Sequence, residues 1–272
     1  MSDKQTNDFS STPEKMKYKV SKIGKMPSEV SEASGLEIAG ISGDTIYLWT
    51  HNDSGGKPEL YKIDQKGNLQ EIHTVPDTRN FDWEELAQDS SGNIFIGDIG
   101  NNSNRRKELK IYKYSFPDLQ TISFSYQDQK DFPPDKRNMN YDCEAFFWHN
   151  DSLYLFSKNR GNKMVKMYAL PDVEGVYSAS VIDSTRLSAM ITAADINPSH
   201  TMYALLGYGK VYLFGIVEGN INFSAPYACR RFGRSAQAEA LVFINESDFI
   251  VCNEQGKIFL FTRKKGKDKL QK

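Results

Sequence analysis

The feature that most constrains the fold is a sequence pattern that recurs along the chain and is clearest in residues 82–102, DWEELAQDSSGNIFIGDIGNN. It begins with acidic residues, runs through a short strand and a Ser-Gly-Asn turn into an apolar strand, and ends in a loop rich in Gly, Asn and Asp. Weaker copies begin at Ala33, Asp142, Thr192 and Gln237. A pattern that recurs at a nearly constant period predicts one structural unit that is repeated several times.

The length and content of the copies predict the kind of unit. Each copy shows three alternating strands, and segments such as residues 69–75 and 121–126 supply a fourth. Repeats of roughly 45 to 60 residues with several strands each are typical of β-propeller blades. We therefore expect an all-β protein, a β-propeller with five blades; a sixth blade would fit if one long connection hides a degenerate copy. The aligned positions are Ser34, Glu84, Glu144, Ala194 and Glu239.

The two ends of the chain predict how the ring closes. The last copy has only three strands before the sequence ends. Residues 17–26 precede the first copy and have no other strand to pair with. We expect this N-terminal strand to complete the last blade, which removes exposed sheet edges. The propeller domain then spans residues 16–263. Residues 1–15 form a flexible polar tether, and residues 264–272 form a basic frayed tail.

Composition excludes several classes of function. The 272 residues carry a net charge of −1, so no positive field favours nucleic acid. No apolar run approaches the ~20 residues of a transmembrane helix. The odd number of Cys residues argues against a disulfide framework, and their spacing matches no zinc motif. We expect a monomer whose partner is a small molecule or a protein, bound at one end of the propeller axis.

The polar tether, residues 1–15, allows two interpretations of the cellular location. Such a segment commonly follows the lipid-bearing Cys of a bacterial lipoprotein, in which case Met1 stands where a signal peptide and that Cys have been removed. The protein would then lie in the bacterial cell envelope, in the periplasm or on the surface. Otherwise it is cytoplasmic, since the sequence contains no signal peptide.

The repeat also predicts where a site lies. In a propeller, the segment that leads into each innermost strand and the loop between the second and third strands emerge on the same face. The carboxylates expected at this axial mouth are those of Asp82, Glu84, Glu85, Asp142, Glu144 and Glu239. The residues expected around them are Asp53, Asp98, Asn101, Lys158, Asn159, Arg160, Asn253 and Glu254. Trp83 lies between two of the acids and is expected to be presented to a ligand there.

Three interpretations of the acidic mouth remain open. Converging carboxylates repel one another and are costly to desolvate unless they are compensated. Calcium would compensate them, because it takes several oxygen ligands; the expected metal ligands are Glu84, Glu144, Glu239, Asp82 and Asp142. Alternatively, ion pairs with Lys158, Arg160 or Arg105 would neutralise them. In the third interpretation they are solvated acids, and the Asn and Asp residues only form turns.

Catalysis is a further hypothesis. Glu84 or Glu144 is the candidate for the carboxylate that would orient or deprotonate a water molecule beside a bound metal. His51 is either a base beside Asp53 or a polar loop residue, and His149 is expected to be structural. The sequence contains no G-x-S-x-G nucleophile elbow, phosphate-binding P-loop or dinucleotide fingerprint.

Four short segments carry a resemblance to a known group: residues 52–55 (NDSG), 82–86 (DWEEL), 97–102 (GDIGNN) and 144–146 (EAF). They resemble bacterial extracytoplasmic propellers that are similar in blade layout to the phytase-like esterase, strictosidine-synthase and gluconolactonase/paraoxonase propellers. The repeat pattern covers nearly the whole chain, whereas these segments lie in the first three blades.

The resemblance implies a reaction and a cofactor. In the lactonase branch, one Glu and several Asn or Asp residues hold calcium at the central mouth. The residues that would correspond are one of Glu84, Glu144 and Glu239, with Asn101, Asn159 and Asp98 nearby. This chain differs in having three candidate glutamates. The implied function is hydrolysis of an ester, lactone or phosphoester; the alternative is a propeller that binds a ligand or protein without turnover.

Overall fold

The computed structural model describes residues 17–232 and 237–264, in which five small sheets form a ring. The described residues form 22 strands and no helix. The molecule is a five-bladed β-propeller, which confirms the predicted fold class. None of the described residues belongs to a helix long and apolar enough to span a bilayer.

The strands follow in chain order. Tyr18–Lys25 (β1) precedes the first blade, which comprises Ala33–Ser42 (β2), Thr45–Asn52 (β3), Glu59–Asp64 (β4) and Leu69–Thr74 (β5). The second blade comprises Trp83–Gln88 (β6), Ile94–Asp98 (β7), Leu109–Ser115 (β8) and Asp118–Tyr126 (β9). The third comprises Asp142–His149 (β10), Ser152–Lys158 (β11), Met164–Pro171 (β12) and, after Gly175–Ala179 (β13), Val181–Arg186 (β14).

The last two blades complete the ring. The fourth comprises Ile191–Ile196 (β15), Met202–Gly207 (β16) and Lys210–Val217 (β17), with Asn220–Ile221 (β18) and Ala228–Arg231 (β19) both paired to β17. The fifth comprises Ala238–Phe243 (β20), Phe249–Asn253 (β21) and Lys257–Arg263 (β22).

The N-terminal strand closes the ring, as predicted. β1 runs antiparallel to β22, with Tyr18 opposite Arg263, and it forms the outer strand of the fifth blade. The Lys264 backbone N–H extends this pairing by donating to the Lys17 carbonyl at 2.8 Å. The expected tether lies outside the described residues, as does the expected tail beyond Lys264.

One strand joins a different blade from the one that its place in the repeat predicts. β13 leaves the third blade and pairs in parallel with β9, so that it becomes a fifth strand of the second blade. The chain then returns to the third blade as β14. This connection ties two neighbouring blades together through backbone hydrogen bonds.

A β-bulge interrupts all five innermost strands at the same level. The residues left without a cross-strand partner are Gly35, Glu84, Glu144, Thr192 and Glu239. A bulge re-aims the side chain of the extra residue, and three of the five bulges carry Glu. The sequence alignment places Ser34 and Ala194 at the level of the three glutamates. That placement is wrong, because the strand pairing puts Gly35 and Thr192 at the bulges of the first and fourth blades.

The core lies between neighbouring blades and is rich in aromatic residues. Phe95, Phe124, Phe146 and Tyr168, for example, pack in the cluster between the second and third blades. Strands favour aromatic side chains, which fill the wedge-shaped gaps between blades. Of the three free cysteines, Cys143 and Cys252 are buried and Cys229 is half-buried.

Candidate functional site

Two groups of three carboxylates meet at the axial mouth and share Glu84. The first group, called here the open triad, comprises Asp53, Asp82 and Glu84. The second, called here the paired triad, comprises Glu84, Asp142 and Glu144. In each group, one oxygen per residue lies within 4.8 Å of the others. The structure thus brings together residues that are up to about ninety positions apart in the sequence, because their strands line one axis.

The paired triad contains its own counter-ions. Lys158 Nζ forms an ion pair with Glu144 Oε2. Arg160 Nε lies 2.6 Å from Asp142 Oδ2, and its Nη2 lies 3.2 Å from Glu144 Oε1. The Asn101 backbone N–H also donates to Asp142 Oδ1 at 2.8 Å. The ion-pair interpretation therefore describes this half of the mouth.

The open triad lacks such partners. Glu84 is only 5% exposed, yet among the described residues nothing hydrogen-bonds its carboxylate or that of Asp82. Within the described part of the chain, the Asp53 carboxylate accepts a hydrogen bond only from the adjacent Ser54 N–H. No Lys or Arg of the described chain forms an ion pair with these three acids. A buried carboxylate without a donor or a counter-charge is costly, so this half of the mouth is uncompensated.

The local backbone holds these acids close together. The Ser34 hydroxyl donates to the Glu84 carbonyl at 2.6 Å and fastens the bulge of the second blade to the first. The Gly100 N–H donates to the Asp82 carbonyl at 3.1 Å. A Cβ at Gly100 would overlap Glu84 Oε1 and the Asp82 carboxylate. Glycine at this position therefore allows the loop after β7 to pass directly over both acids.

Proton affinities reflect the missing counter-charge. Burial, together with the charges of Glu144 and Asp53, raises the pKa of Glu84 well above its usual value. Burial and the neighbouring Asp53 raise the pKa of Asp82 to about 6. Burial likewise raises the pKa of Asp53. In the absence of a cation, the open triad therefore retains protons that free carboxylates would release.

Lys158 connects the paired triad with Glu239. Burial would lower its pKa, but the charge and hydrogen bond of Glu144 raise it above the ordinary value. Its Nζ lies 5.2 Å from the centroid of the Tyr208 ring. The Tyr208 hydroxyl donates to Glu239 Oε1 at 3.4 Å. Burial raises the pKa of Glu239 to about 7, although Lys158 opposes this rise.

A second acidic layer lies further along the inner strands. Glu85 was expected at the mouth, but its side chain is completely buried. Its Oε1 accepts the Leu86 N–H at 3.0 Å, and its Oε2 accepts the Ala194 N–H at 2.9 Å. Asp195 accepts backbone N–H groups from Ile196 at 2.7 Å and Phe243 at 2.6 Å. Burial raises the pKa of both acids well above normal.

Two residues expected at the mouth are buried behind it. Trp83 has no exposed surface, and its Nε1 donates to the Arg79 carbonyl at 3.2 Å. The expectation that it presents its ring to a ligand is corrected, because the indole fills the gap between the first two blades. His51 lies next to the last residue of β3 and is also fully buried. Its ring therefore does not contact solvent beside Asp53. Burial lowers its pKa to about 4, so the ring is neutral at pH 7.

Several of the predicted rim residues make bonds within the chain. Asn101 accepts the Arg106 N–H and donates to the Tyr141 carbonyl at 3.1 Å. Asn159 donates to the Leu187 carbonyl at 3.0 Å. Glu254 remains exposed beside Glu239. The asparagines thus shape the loops of the mouth with their amide groups.

Sequence reasoning chose the wrong one of two adjacent arginines. Arg106, and not Arg105, forms the ion pair with Asp98, at 2.9 Å between Nη1 and Oδ1. Arg106 also donates to the Gly100 carbonyl at 2.8 Å and so holds the loop that covers the open triad. Arg105 is exposed. Nothing in the local sequence distinguishes the two residues, because the direction of each side chain depends on how the loop meets β8.

His149 occupies the opposite face, as expected for a structural residue. It is 2% exposed, and its Nε2 lies 3.0 Å from the Gly219 carbonyl, to which it donates. Its Nδ1 therefore accepts from His200 Nδ1 at 2.9 Å.

The fold and the site define a class: a five-bladed β-propeller with an uncompensated acidic group at one mouth of its axis. No protein-family model matches the chain, and no curated protein matches it. A solved structure from Xanthomonas campestris, described as a gluconolactonase important in glucose secondary metabolic pathways, is similar in fold. The match covers 94% of this chain and 96% of that chain at 7% identity, with a TM-score of 0.51. At this identity the similarity establishes the fold.

Proposed function

We propose that the axial mouth binds one divalent cation, calcium, in the open triad and hydrolyses an ester, lactone or phosphoester there. The observation that carries the proposal is the Glu84 carboxylate. It is buried, accepts no hydrogen bond from the described residues and faces Asp53 and Asp82. A cation is the partner that would balance its charge.

The donor set fits calcium. Calcium takes six to eight oxygen ligands, mainly from carboxylates, carbonyls and water. Three carboxylates supply only part of that shell, which leaves positions for water and substrate. The absence of a side chain at Gly100 gives the room in which Asp82 and Glu84 converge. Calcium bound there would polarise a carbonyl or phosphoryl oxygen and would acidify a bound water molecule.

The two candidate catalytic carboxylates receive different roles in this proposal. Glu84 holds the cation together with Asp53 and Asp82. Glu144 is held in place by Lys158 and Arg160 and lies within 4.8 Å of Glu84 through one of its oxygens. It is placed to orient the attacking water. Asp142 and Glu239, expected from the sequence as metal ligands, have Arg160 and Tyr208 as their partners instead.

The substrate class draws support from the fold. The similar structure is described as a gluconolactonase, and a lactone has the carbonyl oxygen that a bound cation would polarise. The guanidinium groups of Arg160 and Arg106 are engaged by carboxylates and carbonyls of the chain. This arrangement favours a neutral ester or lactone over a highly phosphorylated substrate.

Calcium titration of metal-stripped protein tests the proposal. Calorimetry should show one bound ion and a raised melting temperature for the wild type. Glu84→Gln should weaken binding at least about tenfold, because it removes a charged ligand. Glu108→Gln is the matched control, since Glu108 is exposed and lies outside the mouth. Absence of calcium binding by the wild type, or unchanged binding by Glu84→Gln, would contradict the cation site.

A substrate screen tests the reaction itself. Lactones, aryl esters and phosphoesters should be assayed with calcium and with a chelator. Chelator-sensitive turnover that is lost in Glu84→Gln and in Glu144→Gln supports hydrolysis. Calcium binding without turnover of any of these classes would favour the alternative, a propeller that binds a ligand or a protein.

A further inference from the structure

We infer that Lys158 is a built-in cation that takes the place of a second divalent ion at the mouth. Its ammonium group neutralises Glu144 within the paired triad, and the mouth therefore accepts one divalent ion where its carboxylates could hold two. This inference rests on the proposed function, because both treat the carboxylate groups as cation sites.

The first argument is that the two triads are geometrically alike. Each comprises three acids with one oxygen apiece within 4.8 Å of the others, and Glu84 belongs to both. All three members of the paired triad are buried, whereas Asp53 and Asp82 are half-buried. By geometry alone, the paired triad is the more enclosed of the two cation sites.

The second argument concerns what fills the paired triad. Lys158 directly opposes Asp142 in the pairing of β10 with β11, so its side chain enters the mouth from the neighbouring strand. Its side chain is 4% exposed, and its Nζ contacts Glu144. A buried lysine is costly unless a carboxylate pairs with it. The ammonium therefore occupies a position where a free cation would otherwise offset the charge of Glu144.

Arg160 does not play the same part. Its side chain is 30% exposed, and besides Asp142 and Glu144 it bonds to Asn102 on the rim. The Arg160 guanidinium is the more exposed of the two cations, whereas the compact ammonium of Lys158 is a point charge buried beside Glu144. The Tyr208 ring, 5.2 Å from Nζ, lies beside the ammonium. Lys158 is thus the residue whose removal vacates a cation position.

The test is the number of calcium ions bound. Metal-stripped wild type, Lys158→Met and Lys158→Arg should be titrated by calorimetry, with native mass spectrometry to count ions. We expect one ion for the wild type and for Lys158→Arg, and two for Lys158→Met. Lys166→Met is the matched control, because Lys166 is also ion-paired, to Asp128 at 2.6 Å, but lies outside the triads. It should bind one ion.

A double variant identifies the new site. Glu144→Gln combined with Lys158→Met removes both partners of the ion pair and should bind one ion again. If Lys158→Met folds only with calcium present, mass spectrometry of the refolded protein decides: two retained ions support the inference and one overturns it.

The outcomes also separate this inference from the proposed function. One ion in both the wild type and Lys158→Met, with equal affinity, overturns the inference and leaves the open triad as a cation site. No ion in the wild type but one in Lys158→Met supports the inference and contradicts the proposed site. No ion in either protein overturns both.

Discussion

Glu85 Oε2 accepts a hydrogen bond of 2.9 Å from the backbone N–H of Ala194. The two residues belong to the inner strands of the second and fourth blades, which are not neighbours, because β10 lies between β6 and β15 in the ring. The bond therefore crosses the propeller axis. A buried carboxyl group of the second blade thus bonds to the backbone of the fourth blade behind the mouth.

Replacement of Glu85 should destabilise the ring. Glu85→Leu leaves the buried N–H groups of Ala194 and Leu86 without acceptors, and each such loss costs about 1–3 kcal/mol. We expect the free energy of unfolding to fall by about 2–5 kcal/mol in urea titrations. Glu85→Gln should lose less, because its amide oxygen still accepts one N–H. A leucine variant as stable as the exposed control Glu108→Leu would show that the cross-axis bond contributes nothing.

Gly100→Ala should impair cation binding without loss of the fold. The added methyl group would overlap Glu84 Oε1 and the Asp82 carboxylate, so the two acids must move apart. We expect calcium affinity to drop at least about tenfold in calorimetry. Gly215→Ala is the control, because a Cβ there meets nothing within 4 Å. Wild-type affinity in Gly100→Ala would mean that calcium does not bind between these acids.

The metal-free protein should lose stability as the pH rises from 4.5 to 8. Burial raises the folded-state pKa of Asp82 to about 6 and that of Glu239 to about 7. It also raises to about 7 the pKa of Glu37, a buried residue of β2. Groups with a raised pKa stabilise the fold fully below their unfolded-state pKa near 4, and this contribution is lost as the pH rises through 6 to 7. Each tenfold change in proton affinity corresponds to about 1.4 kcal/mol.

Urea midpoints measured across that pH range, with and without calcium, check this prediction. Calcium should restore stability above pH 7, and its affinity should weaken on acidification because protons compete for the same carboxylates. Glu239→Gln should flatten the profile between about pH 5 and 7, the interval between its unfolded-state and folded-state pKa values. A metal-free protein that gains stability steadily from pH 5 to 8 would contradict the assignment.

Tyr18→Ala should weaken the closure of the ring. Tyr18 is 4% exposed, packs on Phe249 with ring centroids 5.0 Å apart and donates to the Ser247 carbonyl at 3.0 Å. Truncation of a buried aromatic side chain costs about 3–5 kcal/mol, and thermal and urea unfolding should show a loss of this order. Lys19→Ala, on the exposed face of the same strand, should be nearly neutral. Equal stability of the two variants would argue against closure by β1.

The repeat was the part of the fold that the sequence predicted well. Alternating strands and Gly/Asn-rich turns depend on local backbone geometry, so they are visible in each copy without knowledge of the others. The last copy shows only three strands, and the N-terminal strand has no other partner. The sequence therefore also predicted that β1 completes the fifth blade. β13 escaped prediction, because an uncharged strand inside a connection carries no signal about which blade it joins.

The site was predictable in its location but not in its pairing. Acids that recur at one level of a repeat must converge on the axis, so the sequence pointed to Glu84 and Glu144 together. It could not show that Glu144 is neutralised by Lys158 while Glu84 is left without a partner, since that depends on side chains from different strands meeting within a few ångströms.

By itself, then, the sequence determined an all-β ring of five repeated units with an acidic mouth, because periodicity and turn composition are local properties. Only the tertiary structure decided which acids face a cation, which are neutralised and which are sealed inside. Those outcomes depend on the register of five β-bulges and on burial between blades. Both arise from contacts between segments that are distant in the chain.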